Sequence, residues 1–410
     1  MLFDLSELEG PGSSGARALG DEDARRAISD DLASTLFVEA GAGSGKTSAM
    51  VDRIVRLIRR GEAELREIAA VTFTEAAASE LRVRVRRRLE SSAASDGSAS
   101  AAAAALAQID EAAIGTIHGF CQRLLAEHPL EAELPPGFVV LDEVRASIAW
   151  RTRWTTTLDL LVGEEGTRQL VAAAWVLGMD HRHLEAIARL LDEQWDRCDP
   201  TPRDSARLLA TIRDTVDRAA AEVSASLGAA IRCRELCREP SDGLLARFDA
   251  FDAYRSQLGR AGSWIDRLRL LRAGPRRSLR VGVVGRQVNW SGSSVLEVRS
   301  SLAEAEEARA SAVAVACDSA LGGLVSRLES LAVEGAKWRR AAGELSFHDL
   351  LVLARNVVAN DAVVRSELRR RYRFLLVDEF QDTDPLQFEL VELLARMKSR
   401  TVVKLPECSR

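Results

Sequence analysis

At both ends of the chain, short apolar runs alternate with stretches whose apolar residues recur at helical spacing. The first signature marks buried strands and the second marks helices packed on one face. Between Asp21 and Ser34, Ala24, Ala27, Ile28 and Leu32 predict a helix. The run "TLFVEAGAGSGKTSAMVDRIVRLIRRG" then reads as a strand, a glycine-rich turn and an amphipathic helix ending near Gly61. "IAAVTFT" (68–74) predicts a second strand, followed by a helix from Glu75 to about Leu89. The low-complexity segment "SSAASDGSASAAAAAL" (91–106) reads as a surface linker or a weak helix. "AAIGTIHGFCQRLLAEHPL" (112–130) repeats the strand, turn and helix order, and "PPGFVVLDE" (135–143) closes this part.

From Val144 to about Gly335 the pattern becomes helical throughout. Trp150, Trp154, Trp175, Trp195 and Trp264 are expected core anchors there, with "LRVGVVGRQVNWSGSSVLEV" (279–298) as an irregular or extended excursion. Alternating strands and helices return from Leu345, ending in the strand "FLLVD" (374–378) and a helix after Pro385. The fold class expected is α/β: a P-loop core with a parallel sheet, interrupted by a large, mainly helical insertion. The expected segments are a loose 1–20, core residues 21–143, an insertion over 144–335, and a second core part over 336–410.

Composition narrows the class without identifying it. Hydrophobic residues make up 47% and charged residues 29% of the 410, as in ordinary soluble domains. No uncharged apolar run reaches the roughly 18 residues that a membrane span needs, and the acidic start is unlike a secretory signal. A cytoplasmic protein without membrane contact is expected. The six cysteines are scattered; Cys233 and Cys237 lack a second pair to complete a zinc site, so reduced thiols are expected. A net charge of −5 gives no global basic field, although nucleic acid can bind local basic grooves. Only four of the 56 basic residues are lysines: Lys46, Lys337, Lys398 and Lys404.

One of those lysines carries the first chemical motif. "AGAGSGKT", comprising Ala40, Gly41, Ala42, Gly43, Ser44, Gly45, Lys46 and Thr47, lies between a predicted strand and a predicted helix. In that setting, successive backbone N–H groups can curl around phosphate oxygens, and the glycines permit the dihedrals. The positive end of the helix adds attraction. Lys46 would reach the outer phosphates of ATP and Thr47 would hold Mg²⁺ through its hydroxyl. Ala40 replaces the first glycine of the strict G-x-x-x-x-G-K-[ST] pattern.

"FLLVDEFQDT" (374–383) carries the second motif. Neighbouring carboxylates repel unless a cation or a deprotonation task keeps them together. Read blandly, this is a strand ending in a solvated turn. With a phosphate cradle elsewhere, Asp378 becomes a metal partner, Glu379 the group that polarises the attacking water, and Gln381 a γ-phosphate sensor or water-orienting group.

Together, "AGAGSGKT", "TFTEAAASELRVRV" (72–85), "GTIHGFCQRLL" (115–125), "LSFHDLL" (345–351) and "VDEFQDTDPLQ" (377–387) resemble the UvrD/Rep-like superfamily 1 DNA helicases. Within them the likeness is to the RecB/AddA-like helicase–nuclease branch, and it covers 21–143 and 345–396. The resemblance implies a RecA-like core, ATP and Mg²⁺ as cofactors, single- and double-stranded DNA as partners, 3′→5′ translocation in repair and recombination, and a second helicase–nuclease subunit. It also implies that Phe73 stacks on a base, with a buried strand residue as the alternative reading. Thr72 or Thr74, and Thr116 with His118, would contact the DNA backbone, although a lone histidine is more often structural. Arg82, Arg84, Arg86, Arg87 and Arg88 read as a solvated face first and a DNA contact second.

The family carries a glutamine that reads adenine where Ala24 stands here, so adenine specificity is not implied. The Gly-Asp-x-x-Gln run and the second motor domain of the family do not follow within 410 residues, so an amino-terminal part of a larger enzyme or a truncated reading frame is expected. Such a piece would bind nucleotide weakly and hydrolyse it slowly. A non-catalytic nucleotide- and DNA-binding module is the alternative, and an unrelated P-loop kinase is disfavoured by "DEFQDT".

Overall fold

The computed structural model describes residues 21–40, 45–94, 99–380, 384–395 and 400–405. The chain divides into two compact units, one from 1–141 with 340–410 and one from 142–339.

In the first unit α1 (Asp21–Asp30) leads to β1 (Thr35–Ala40), α2 (Lys46–Arg59), β2 (Ile68–Thr72), α3 (Glu75–Ala93), α4 (Ala99–Ala107), β3 (Ala113–Thr116), α5 (Ile117–Glu127) and β4 (Val139–Val140). The described residues form a mostly helical fold with a small parallel sheet. β2 is its centre, every residue buried, as a strand covered on both faces must be. Residues on one face of the sheet pack against α2, α3 and α4 through Ile54, Leu57, Leu81, Val85 and Leu89.

Several boundaries differ from expectation. α1 stops at Asp30, because the Asp31 carboxylate accepts the Ser34 N–H at 3.0 Å and turns the chain into β1. β2 ends at Thr72 because Thr74 leaves the ladder to cap α3, its hydroxyl accepting the Ala77 N–H at 3.1 Å. α3 runs on to Ala93, four residues past the expected end. Alanines of the low-complexity segment form α4 and bury Ala102 and Ala105, since small helix-forming side chains let it approach closely.

The second unit contains α6 (Glu143–Gly163), α7 (Glu165–Leu177), α8 (His181–Glu193), α9 (Ser205–Arg232), α10 (Phe248–Arg260) and α11 (Trp264–Ala273). Most of α12 (Ser294–Ala342) also belongs to it. Trp150 is buried and stacks on Trp154 at 6.2 Å, whereas Trp175 is 44% exposed and is no core anchor. α12 passes a length and hydropathy test for a membrane span. Its Val295, Val298, Leu302, Ala305, Ala312, Ala316, Ala320 and Leu324 are nevertheless buried in the core of this unit. The excursion expected over 279–298 is irregular up to its last residues, where α12 begins at Ser294.

The chain leaves the first unit after β4 and re-enters it at β5 (Glu344–Leu345), which pairs with β4 in parallel. Gly343 precedes β5 with φ +69°, and a Cβ there would meet Pro135 at 2.7 Å, so glycine is required. Then come α13 (Phe347–Asn360), α14 (Ala362–Arg371), β6 (Phe374–Val377), α15 (Pro385–Leu394) and β7 (Arg400–Leu405). β3, β2 and β6 form a three-stranded parallel ladder in that order, and β1 pairs with β7 in a separate parallel ladder. The single sheet expected for the core is thus two ladders, because β1 takes its hydrogen bonds from β7 alone among the described strands.

Asp242, buried in the second unit, organises the irregular segment. It accepts from the Leu244 N–H at 2.9 Å, the Arg286 N–H at 3.0 Å and Asn289 Nδ2 at 2.8 Å. Burial opposes its charge, yet these donors hold its pKa below the ordinary carboxylate value. Its contribution to stability is therefore full above that ordinary value and is lost as pH falls through the lower folded-state value. Asp242→Ala is expected to cost about 2–3 kcal/mol, by stranding buried donors. Hydrogen exchange at the Leu244 and Arg286 amides should accelerate accordingly. Unchanged exchange would show that the carboxylate holds nothing.

Candidate nucleotide site

α2 begins where the chain turns left-handed at Gly45, φ +87°, a conformation that costs glycine nothing. No acidic residue occupies the first turn of α2, so its positive end is not offset there. Lys46 and Thr47 lie in that turn. Ala40 is the last residue of β1, while Gly41, Ala42, Gly43 and Ser44 lie outside the described residues, as does Gln381.

At the end of β6 the Asp378 N–H donates to the Val71 carbonyl at 2.9 Å, carrying the ladder one step beyond the strand. The Asp378 carboxylate accepts the Glu379 N–H at 3.0 Å, and Glu379 itself is left-handed at φ +51°. A non-glycine residue in that region stores about 1–3 kcal/mol of strain. Here the turn brings Glu379 Oε2 to 3.5 Å from Lys46 Nζ, across 333 residues of sequence. Phe380 lies beside both β1 and α15, with ring centroids 5.9 Å from Phe37 and 5.7 Å from Phe388.

Burial raises the Asp378 pKa, the Glu379 charge adds to the rise, and the Glu379 N–H and Lys46 oppose it. A half-buried carboxylate in that condition is suited to a cation. No group of three or more His, Cys, Asp or Glu among the described residues could hold a metal alone. Asp378 and the Thr47 hydroxyl therefore fit Mg²⁺ only as partners of phosphate oxygens.

The neighbouring strand ends carry the residues assigned to DNA. Thr72 is buried, and its hydroxyl donates to the Thr74 carbonyl at 3.1 Å. Phe73 is 53% exposed, which removes the buried-strand alternative for it. Thr116 caps α5 by accepting the Gly119 N–H at 3.1 Å and donates its own proton to Glu75 at 2.8 Å. His118 is half-buried, with its ring edge-on to Phe347 at 5.2 Å. Burial lowers its pKa, against the pull of Asp384 and Glu75. Of the arginines expected to be solvated, Arg82 instead reaches the Ile114 carbonyl at 2.6 Å. Sequence reasoning missed Phe347, which is 52% exposed, and Glu75, whose only signal was its place beside Thr74.

Because Asp378 has a folded-state pKa above its unfolded value, its charge opposes folding once pH exceeds both. Asp378→Asn is expected to raise the thermal midpoint of the chain at pH 7 by roughly one to two degrees. That gain should vanish near about pH 3, where both forms are neutral. Melting curves at the two pH values test this, and a lower midpoint for the variant at pH 7 would contradict it.

Residues 21–403 match the family model described as UvrD/REP helicase N-terminal domain. Among curated proteins, the chain is similar to an AddA-type ATP-dependent helicase/nuclease subunit from Syntrophomonas wolfei, with 23% identity over 403 residues, 88% of this chain and 32% of the relative. The counterpart of that protein in Ruminiclostridium cellulolyticum is 34% identical over 115 residues, and that in Desulforamulus reducens 37% over 115 residues. Each of these two alignments covers 28% of this chain and 9% of the relative. The chain thus spans at most about a third of the length of these relatives. With the family model covering nearly all of its length, the chain belongs to the UvrD/REP helicase N-terminal domain family.

Proposed function

We propose that this chain is the ATP-binding part of a DNA helicase or translocase of the UvrD/AddA type. It would act in DNA repair and recombination in the cytoplasm, with 3′→5′ polarity, and its partner would be a second helicase–nuclease subunit. The observation that carries the proposal is the approach of Lys46 to Glu379 at 3.5 Å, which joins the glycine turn to the acidic strand end.

In this reading the triphosphate of ATP lies against Gly45 and the start of α2, and Lys46 binds its outer phosphates. Thr47 and Asp378 would hold Mg²⁺, which when bound neutralises phosphate charge. Glu379 accepts a proton from the attacking water. The Lys46–Glu379 pair is partly exposed and long, so it is worth only about 0–1 kcal/mol and parts readily when phosphate arrives. Single-stranded DNA would pass the strand ends, with Phe73 stacking on a base. Phe73 leaves β2 exposed, as a stacking platform must be.

Two measurements on the 410-residue chain test the proposal. Lys46→Ala is expected to weaken Mg·ATP binding by at least about tenfold, while Glu379→Gln keeps binding and loses single-turnover hydrolysis. Equal Mg·ATP binding by wild type and Lys46→Ala would reject the nucleotide site. Wild type that binds but shows no hydrolysis for Glu379→Gln to remove would make the chain a binding module. Phe73→Ala is expected to weaken binding of a fluorescent oligothymidylate by about 1–3 kcal/mol. Unaltered affinity would place the strand elsewhere.

A further inference from the structure

α2 carries an arginine that no motif accounts for. Arg53 lies about two helical turns beyond Lys46 on α2. Its side chain reaches back to the segment that enters β1. Nη1 donates to the Ile28 carbonyl at 2.6 Å and to the Asp31 carbonyl at 2.8 Å, and Nη2 to the Ser34 carbonyl at 3.4 Å. The Ile28 carbonyl belongs to the last turn of α1, where helical partners run out, and a cation there also suits the negative helix end. Asp31 and Ser34 form the turn that immediately precedes β1.

Little else ties these pieces together. The apolar cluster shared by α1, β1 and α2 contains one fully buried residue, Ile28, with Ala27, Leu36, Val38 and Ala49 partly buried around it. Arg56 and Arg60 both pair with Asp30, but these groups are exposed and screened. The guanidinium of Arg53 is half-buried, and its planar fork suits several carbonyls at once.

The consequence follows from connectivity. The phosphate turn is bounded by the end of β1 and the start of α2. Arg53 fastens the entry of β1 to the body of α2, so both ends of that turn are set by one side chain. We propose that Arg53 is a positioning residue for phosphate binding, holding β1 and α2 at the separation at which the turn fits a triphosphate. This rests on the reading of that turn as a nucleotide site. A displacement of about an ångström in such a site lowers function by up to about a hundredfold, so a loosened frame is felt at the ligand.

The test uses calorimetric binding of Mg·ATP and of Mg·tripolyphosphate to the full 410-residue chain. Arg53→Ala is expected to raise the Kd of both probes by about tenfold, and Arg53→Lys by less, since an ammonium cannot span the three carbonyls. Arg309→Ala is the matched control. Arg309 lies in the other unit and donates to the Leu271 carbonyl at 2.7 Å and to Glu306, so its loss lowers stability without touching the turn. Its Kd values should stay within about twofold of wild type. If Arg53→Ala folds poorly, Arg53→Lys is read against the same control. Wild-type affinity in both Arg53 variants, or an equal loss in Arg309→Ala, overturns the positioning role while the nucleotide site stands. If wild type binds neither probe, or Lys46→Ala binds both as well as wild type does, the nucleotide reading itself fails and the inference with it.

Discussion

Parallel pairing of three short strands is the constraint on which the rest depends. In a parallel ladder every strand points the same way, so the residue that ends each one arrives at the same edge. Register sharpens this: Val71 is opposite Val377, and Thr72 is opposite Thr116. Three segments far apart in sequence therefore deliver Thr72, Thr116 and Asp378 to one line of backbone. The buried faces of β2 leave no room for polar chemistry along its length, so chemistry can begin only where burial stops.

That edge is built with local compromises. Glu379 accepts a left-handed backbone, Asp378 sits where burial disfavours its charge, and helices α3, α5 and α15 all start there with side-chain caps from Thr74, Thr116 and Asp384. Such arrangements persist only where surrounding structure over-determines them. Around β2 it does, through the packed face of α2, α3 and α4. Around β1 the apolar support is thin, and a polar anchor at Arg53 stands in for it.

Much of this was legible in the sequence. Gly45 and Lys46 were readable because a left-handed turn demands glycine and because lysine is rare here. Asp378 was readable as the first charge after an apolar run. What escaped has a common cause. Arg53 bonds to backbone carbonyls, which have no sequence signature, and it is one arginine among 52. Asp242 holds donors 44 and 47 residues away, and no local pattern records such a distance. The end of β2 moved because a capping hydroxyl at Thr74 competed with the ladder, and pairing partners such as β7 for β1 cannot be read from periodicity. The low-complexity alanines misled for another reason: they look featureless, yet small side chains are what close helix packing selects.

The three threonines at the strand ends are not equivalent. A hydroxyl owns a single hydrogen, and where it points settles what else it can do. Thr72 spends its hydrogen on a carbonyl and Thr116 on a carboxylate, whereas Thr74 only receives. Among the described groups, an anion approaching this rim would thus find one threonine able to greet it without surrendering an existing bond, and two that must first let go.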